Sequence, residues 1–184
     1  LRHGIRATDV QGNSFYNYQG RKLDTNLTGT AQSMSIDLWL DASWNGASRN
    51  AGIWSTGFDS GSVASAYPIV AWRSGGTDPA GFYAFDYING GWLPLKMATV
   101  GDYGRWHTLT FVFSVGTGVE YFVDGVSRLT FADPDTANLR NLILNAYNFG
   151  ADYDVYWDNF RVGSTTPTPY EPVVTGVMNI TASA

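Results

Sequence analysis

Apolar and polar residues alternate with a period of two along most of this chain. Over residues 35–41, Ile36, Leu38 and Leu40 fall on one face, and Asp37 and Asp41 on the other. That is the pattern of a half-buried strand. Residues 107–113 repeat it, with Leu109, Phe111 and Phe113 alternating with Thr108 and Thr110. Asp124-Gly125 then separates two apolar runs. Both central positions of a two-residue hairpin turn need positive φ, which this pair tolerates. Residues 153–162 form the last strong strand pattern. Further strands are predicted over 4–10, 14–19, 50–57, 67–73, 81–88, 92–98, 126–132 and 140–149. No segment holds a 3.6-residue period over three turns, and 21 glycines punctuate the runs at short spacing. The pattern predicts an all-β fold, a two-sheet antiparallel jelly-roll β-sandwich.

The length of 184 residues suits one domain with a sizeable core. Its boundaries are predicted at 1–163. Ser164-Thr165-Thr166-Pro167-Thr168-Pro169-Tyr170-Glu171-Pro172 reads as a stiff, extended linker. Residues 173–184 then either begin a following segment or add a strand. The opening Leu1-Arg2-His3-Gly4 carries neither an initiating Met nor a signal-peptide pattern, and reads as a piece of a longer chain. Composition narrows the partners. Eleven basic residues lie scattered in a chain of net charge −5, with no basic run to track phosphates, which argues against nucleic acid. No stretch reaches the roughly 18 apolar residues of a membrane span. The absence of cysteine removes disulfides, thiolate nucleophiles and zinc–thiolate sites.

Catalytic equipment is sparse. There are 14 Asp but only two Glu, Glu120 and Glu171, and the histidines are His3 and His107. No tight carboxyl pair of the glycosidase kind stands out. No G-x-S-x-G elbow, P-loop or dinucleotide fingerprint occurs. His107 shares the parity of Leu109 and Phe111 and is expected to be a hydrogen-bonded core residue.

Three motifs carry a family likeness. Trp106-His107-Thr108-Leu109-Thr110-Phe111 is followed by Tyr121-Phe122-Val123-Asp124-Gly125 and then by Val155-Tyr156-Trp157-Asp158-Asn159-Phe160-Arg161-Val162. Together with the strand over 35–40, in this order, they resemble the concanavalin A-like, laminin G-like superfamily across roughly residues 4–163. The resemblance implies the same two-sheet sandwich. It spans lectins, carbohydrate-binding modules, glycanases, lyases and adhesion modules, so it does not select a function. The glucanase branch carries closely spaced Glu residues, and this chain has no such pair. The alginate-lyase-like branch carries Gln-x-His, and no His stands two positions after Gln11, Gln19 or Gln32.

A glycan site wants an exposed aromatic face beside polar side chains. In 92–97, Leu93, Leu95 and Met97 take the core parity, which leaves Trp92 and Lys96 on the other face. If Tyr83, Phe85 and Tyr87 are inside, Asp86 joins them, and Arg73 faces out from the strand containing Trp72. The candidate ligand-binding patch is therefore Trp92, Asp86, Arg73 and Lys96, with Trp54 as a lesser candidate. Trp39, Trp106 and Trp157 read as structural. Asp158 shares parity with Tyr156, Phe160 and Val162. Drawn inward, its carboxylate needs either a cation or several backbone donors. The resemblance implies a structural Ca²⁺, with Asp158 and Asp9 as candidate ligands if the first and last strands pair. Asn26-Leu27-Thr28 and Asn179-Ile180-Thr181 match glycosylation acceptors.

The leading expectation is a non-catalytic, lectin-like carbohydrate-binding module for a polysaccharide. It would be extracellular or at the cell surface, tethered to other domains of a secreted protein. One alternative is a glycosidase or polysaccharide lyase of the same fold, which needs a second catalytic group near a carboxylate in a deep cleft. The other is a structural or adhesive domain of a surface or viral protein, which needs a flat apolar patch.

Overall fold

A computed structural model describes residues 1–25, 27 and 29–163. The linker expectation and both glycosylation matches fall wholly or partly outside these residues. The strands are β1 (Arg2–Ile5), β2 (Tyr18–Asp24), β3 (Ala31–Leu40), β4 (Arg49–Phe58), β5 (Ala64–Ala66), β6 (Ile69–Ser74) and β7 (Gly81–Phe85). They continue as β8 (Trp92–Met97), β9 (Arg105–Ser114), β10 (Gly118–Val123), β11 (Val126–Ala132), β12 (Asn138–Tyr147) and β13 (Tyr153–Gly163). One sheet has the order β1-β13-β3-β9-β10-β11, and the other β2-β12-β4-β6-β7-β8 with β5 beside β4. Every pairing is antiparallel. The molecule is an all-β jelly-roll sandwich, as the alternation predicted.

The core lies between the sheets. Ile36, Leu38 and Leu40 of β3 and Leu109, Phe111 and Phe113 of β9 are fully buried. They face Ile53, Val70, Trp72, Phe82 and Leu142 of the other sheet, all in one apolar cluster. Burying each such side chain contributes roughly 1.5–3 kcal/mol. The β10–β11 hairpin turns through Asp124 and Gly125 at φ 54° and 73°, as their sequence dictates. The N-terminal expectations fare less well. Residues 7–9 and 14–17 form 3₁₀ turns rather than strands.

Two departures from strict alternation decide where side chains point. In β8 the register slips, so that Phe82 pairs with Lys96 but Tyr83 pairs with Pro94. Leu95 is the extra residue of a bulge, and a bulge re-aims every side chain beyond it. In β13 the register slips between Asp158 and Arg161, where Asn159 adopts φ 48°.

Candidate functional site

Inward positions of the seven-stranded sheet are filled by Ile53, Val70, Trp72, Phe82 and Ala84, so the alternate positions face away from the core. Three rows of side chains cross that outer face. The middle row is Gly20, Asn145, Gly52, Ala71 and Tyr83. On one side run Tyr18, Tyr147, Asn50, Arg73 and Gly81. On the other run Ile143, Trp54, Ile69, Phe85 and Trp92. Small residues in the middle row leave room for long side chains to lie across it. At Gly52 no side chain fits, since a Cβ would stand 2.4 Å from the Val70 carbonyl oxygen. The Tyr18 and Trp54 rings accordingly meet at 4.7 Å between centroids. Arg73 lays its guanidinium carbon 4.0 Å from the centre of the Trp92 ring, a cation–π contact.

Two cavities flank this layer. One of about 470 Å³ is lined by Tyr18, Asn50, Arg73, Ser74, Gly75, Gly76, Tyr147 and Phe149, with Ser14 and Phe15. The other, about 500 Å³, is lined by Tyr18, Trp54, Tyr67, Ile69, Phe85 and Trp92, with Phe15, Ser55, Thr56 and Ile143. Phe15 and Tyr18 border both, so the two form neighbouring parts of one surface. Among the described lining residues Arg73 is the one charged side chain, and none is a carboxylate. The apolar wall suits stacking against a flat or C–H-rich face. Polar atoms lie beneath this wall as well. Asn50 Oδ1, Trp54 Nε1, Arg73 Nε and Asn145 Oδ1 on this face are buried without a hydrogen-bond partner. Such atoms normally find water or a ligand. Burial pushes the Tyr18 phenol up from its ordinary range, with Arg73 partly opposing it.

The expected patch is thus divided. Trp92, Arg73 and Trp54 stand on the outer face as anticipated. Asp86 does not join them. The core parity of β7 is Phe82 and Ala84, not Tyr83 and Phe85, so Asp86 turns inward and is 7% exposed. Its Oδ1 accepts from the Ile88 and Asn89 amides at 3.0 and 2.9 Å, and its Oδ2 from Asn89 Nδ2. The Asn89 bonds, backbone first, hold its carboxyl below the ordinary range. It shapes the β7–β8 turn. Lys96 does not join them either. The Leu95 bulge sends it to the inner edge, where it pairs with Asp102, lies 3.9 Å from Asp124 and approaches the Phe82 ring. Met97, expected in the core, is 42% exposed for the same reason.

His107 sits beside that cluster as the core residue anticipated. Its Nδ1 is 2.9 Å from Asp124 Oδ2 and its Nε2 2.8 Å from the Asp102 carbonyl. Burial pushes the Asp102 carboxyl up, but Lys96 and Thr99 outweigh it and hold the group below its usual range. Burial likewise opposes, and His107, Thr108 and Lys96 overcome, at Asp124.

The calcium expectation does not fit the placement of its ligands. Strands β1 and β13 do pair, with Arg2 opposite Tyr156 and Ile5 opposite Tyr153. That register puts Asp9 beyond one end of β1 and Asp158 beyond the other. Inward positions of β13 are Tyr153, Val155 and Trp157, so Asp158 is exposed and accepts from the Asn159 amide at 2.8 Å. Asp9 is also exposed, and its carboxylate accepts from Thr8. Among the described residues no group of three or more His, Asp or Glu side chains is placed to hold a metal.

The sequence reading missed Tyr18, Tyr147, Asn50 and Phe85. Tyr147 and Asn50 lie inside predicted strands, but only the cross-strand register brings them to Arg73. Phe85 was placed inside, because aromatics stand on both faces of β7 and blur its parity.

No protein-family model matches the chain, and no curated protein sequence matches it. Solved structures do. Cellulose induced protein Cip1 aligns with a TM-score of 0.56 at 9% identity, over 89% of this chain and 78% of that one. Alginate lyase vAL-1 from Chlorella virus aligns at 0.52 and 12% identity, over 76% and 73%. The receptor binding domain of a botulinum neurotoxin mosaic serotype C/D aligns at 0.51 and 13% identity, over 91% of this chain and 39% of that one. At such identities the likeness is one of fold. Among the described residues, no helix is long and apolar enough to cross a membrane.

Proposed function

We propose that the chain is a non-catalytic carbohydrate-binding domain of the concanavalin A-like kind, and that it binds glycan on the outer face of its seven-stranded sheet. The observation that carries this reading is the pair of neighbouring cavities walled by Tyr18, Trp54, Phe85, Trp92 and Tyr147. Aromatic faces beside unpartnered amide, indole and guanidinium groups are what a sugar, with its C–H faces and hydroxyls, requires. Solved structures of similar fold include an alginate lyase, which supports a glycan setting for the fold. No carboxylate lines either cavity among the described residues, so the carboxyl pair of a glycosidase is not built here, and binding without cleavage is the reading preferred. The reading carries with it an extracellular or cell-surface location and tethering to other domains, which would strengthen a modest affinity.

The test is a pull-down on a panel of soluble and insoluble polysaccharides, comparing the parent with Trp54→Ala and Trp92→Ala. We expect each substitution to weaken binding roughly tenfold or more, as loss of a stacked aromatic face does. No sugar should be released from the bound glycan. Undiminished binding in both variants would overturn the site, and released product would establish the enzyme alternative.

A further inference from the structure

We propose that the Arg73 end of this face recognises a carboxylate, so that the domain selects glycans containing acidic, uronate-type sugars. The proposal rests on the glycan-binding reading above and adds the class of sugar. Arg73 is the one charged side chain among the described residues lining the two cavities. Stacking on Trp92 at 4.0 Å fixes the plane of its guanidinium and leaves the edge as the donor surface. Its Nε is buried and has no hydrogen-bond partner. Its ion pair, Nη2 to Asp78 Oδ2, is 3.3 Å long, and the Asp78 side chain is 38% exposed. A charge-assisted bond is normally about 2.7–2.9 Å, so this contact is a long one, and the guanidinium's other polar neighbour is the uncharged Tyr18 phenol. The Arg73 side chain keeps 19% of its surface exposed, and a planar carboxylate entering the cavity would meet the guanidinium through its Nη donors.

The surroundings suit a sugar ring attached to that carboxylate. Asn50, opposite Arg73 across the β4–β6 pairing, is 4% exposed, and its Oδ1 lacks a donor. Asn50 also lines the cavity, so its amide borders the space a ring would take. Gly75 and Gly76 follow β6 at φ 87° and 84°, the left-handed region that favours glycine. At Gly76 a Cβ would meet nothing within 4 Å, so the loop beside Arg73 borders open space. The aromatic wall of Trp54, Phe85 and Trp92 continues away from this corner and would carry neighbouring sugars regardless of their charge.

The experiment is calorimetric titration of the whole chain with oligomers of galacturonate, glucuronate, mannuronate and guluronate. Each is compared with its own methyl ester, which keeps the ring and removes the charge. A sulfated galactan serves as a second anion. We expect at least one acid to bind roughly tenfold or more tighter than its ester, about the worth of one bond to a charged group. Arg73→Gln should erase that preference, so that acid and ester bind alike, with the melting temperature near that of the parent. Equal affinity for acid and ester, or a preference that survives Arg73→Gln, would overturn the inference but leave the glycan-binding face standing. Tighter binding of the sulfated glycan than of every uronate would overturn the carboxylate assignment. Failure of every glycan, charged or neutral, to bind would overturn this inference and the function proposed above together.

Discussion

Arg73 and Lys96 lie on neighbouring parts of one sheet, and each rests near an aromatic ring, Trp92 and Phe82 respectively. Their situations are otherwise opposite. Lys96 pairs with the buried Asp102, which also accepts from the Thr99 amide and hydroxyl. Asp124 and His107 close the cluster. That cation is spent on the fold. Arg73 has one long ion pair with a partly exposed acid, an uncharged partner in the Tyr18 phenol, and a buried nitrogen left unpartnered. The difference arises from one extra residue, Leu95, which turns β8 over between Trp92 and Lys96. Identical formal charge therefore says little about availability. What matters is how many acceptors the fold has already brought to the group.

The comparison breaks most sharply at Lys96. Lys96→Met should destabilise the protein by about 3 kcal/mol or more, because it strands the Asp102 carboxylate in a site where it is 4% exposed. Chemical denaturation of the two proteins would measure it, and a change below about 1 kcal/mol would show that Thr99 alone satisfies Asp102.

Acid sharpens the same contrast. Asp102 and Asp124 titrate below their ordinary range in the folded protein. Depressed folded values mean that both stabilise the protein fully above the ordinary carboxylate range of about 4, and that this is lost as pH falls through the lower folded values. Melting temperature should thus fall steeply below about pH 4. In Lys96→Met the fall should be shallower, since burial then acts on Asp102 without its cation and its folded titration moves back toward the unfolded one.

The smallest effect is expected at Arg73. Its ion pair is long and open to solvent on the Asp78 side, and such pairs contribute about 0–1 kcal/mol. Arg73→Gln should melt within a few degrees of the parent, so a change in ligand selectivity would report on the site itself rather than on folding.

Much of the framework was written in local pattern. The strands over 35–40 and 107–113, the Asp124-Gly125 turn and the buried His107 follow from alternation and turn chemistry, which act between near neighbours. Parity also sends Trp92 and Arg73 outward, where the structure has them. It misplaces Asp86 and Lys96. In β7 aromatic residues occupy both faces, so hydrophobicity cannot mark the inside. In β8 the bulge changes parity, and its one local mark is Pro94, a residue equally at home on an edge strand without a bulge. Asp158 failed for a third reason: Tyr156 and Phe160 look like core residues, yet they are 38% and 37% exposed, and Val155 and Trp157 take the inside.

By itself the sequence determined a two-sheet β-sandwich rich in aromatics, poor in catalytic groups and carrying outward-facing tryptophans. Periodicity and turn residues suffice for that, because each strand's need to bury one face is a local property. The tertiary structure alone decided which aromatics share a surface. Tyr18, Tyr147, Asn50 and Arg73 come from four strands, with the first and second separated by 129 positions, and meet only through the register of β2, β12, β4 and β6. It also decided that Lys96 is bound up while Arg73 is not. Register and bulges are settled by packing across the whole sheet, and that information is held by no single segment of the chain.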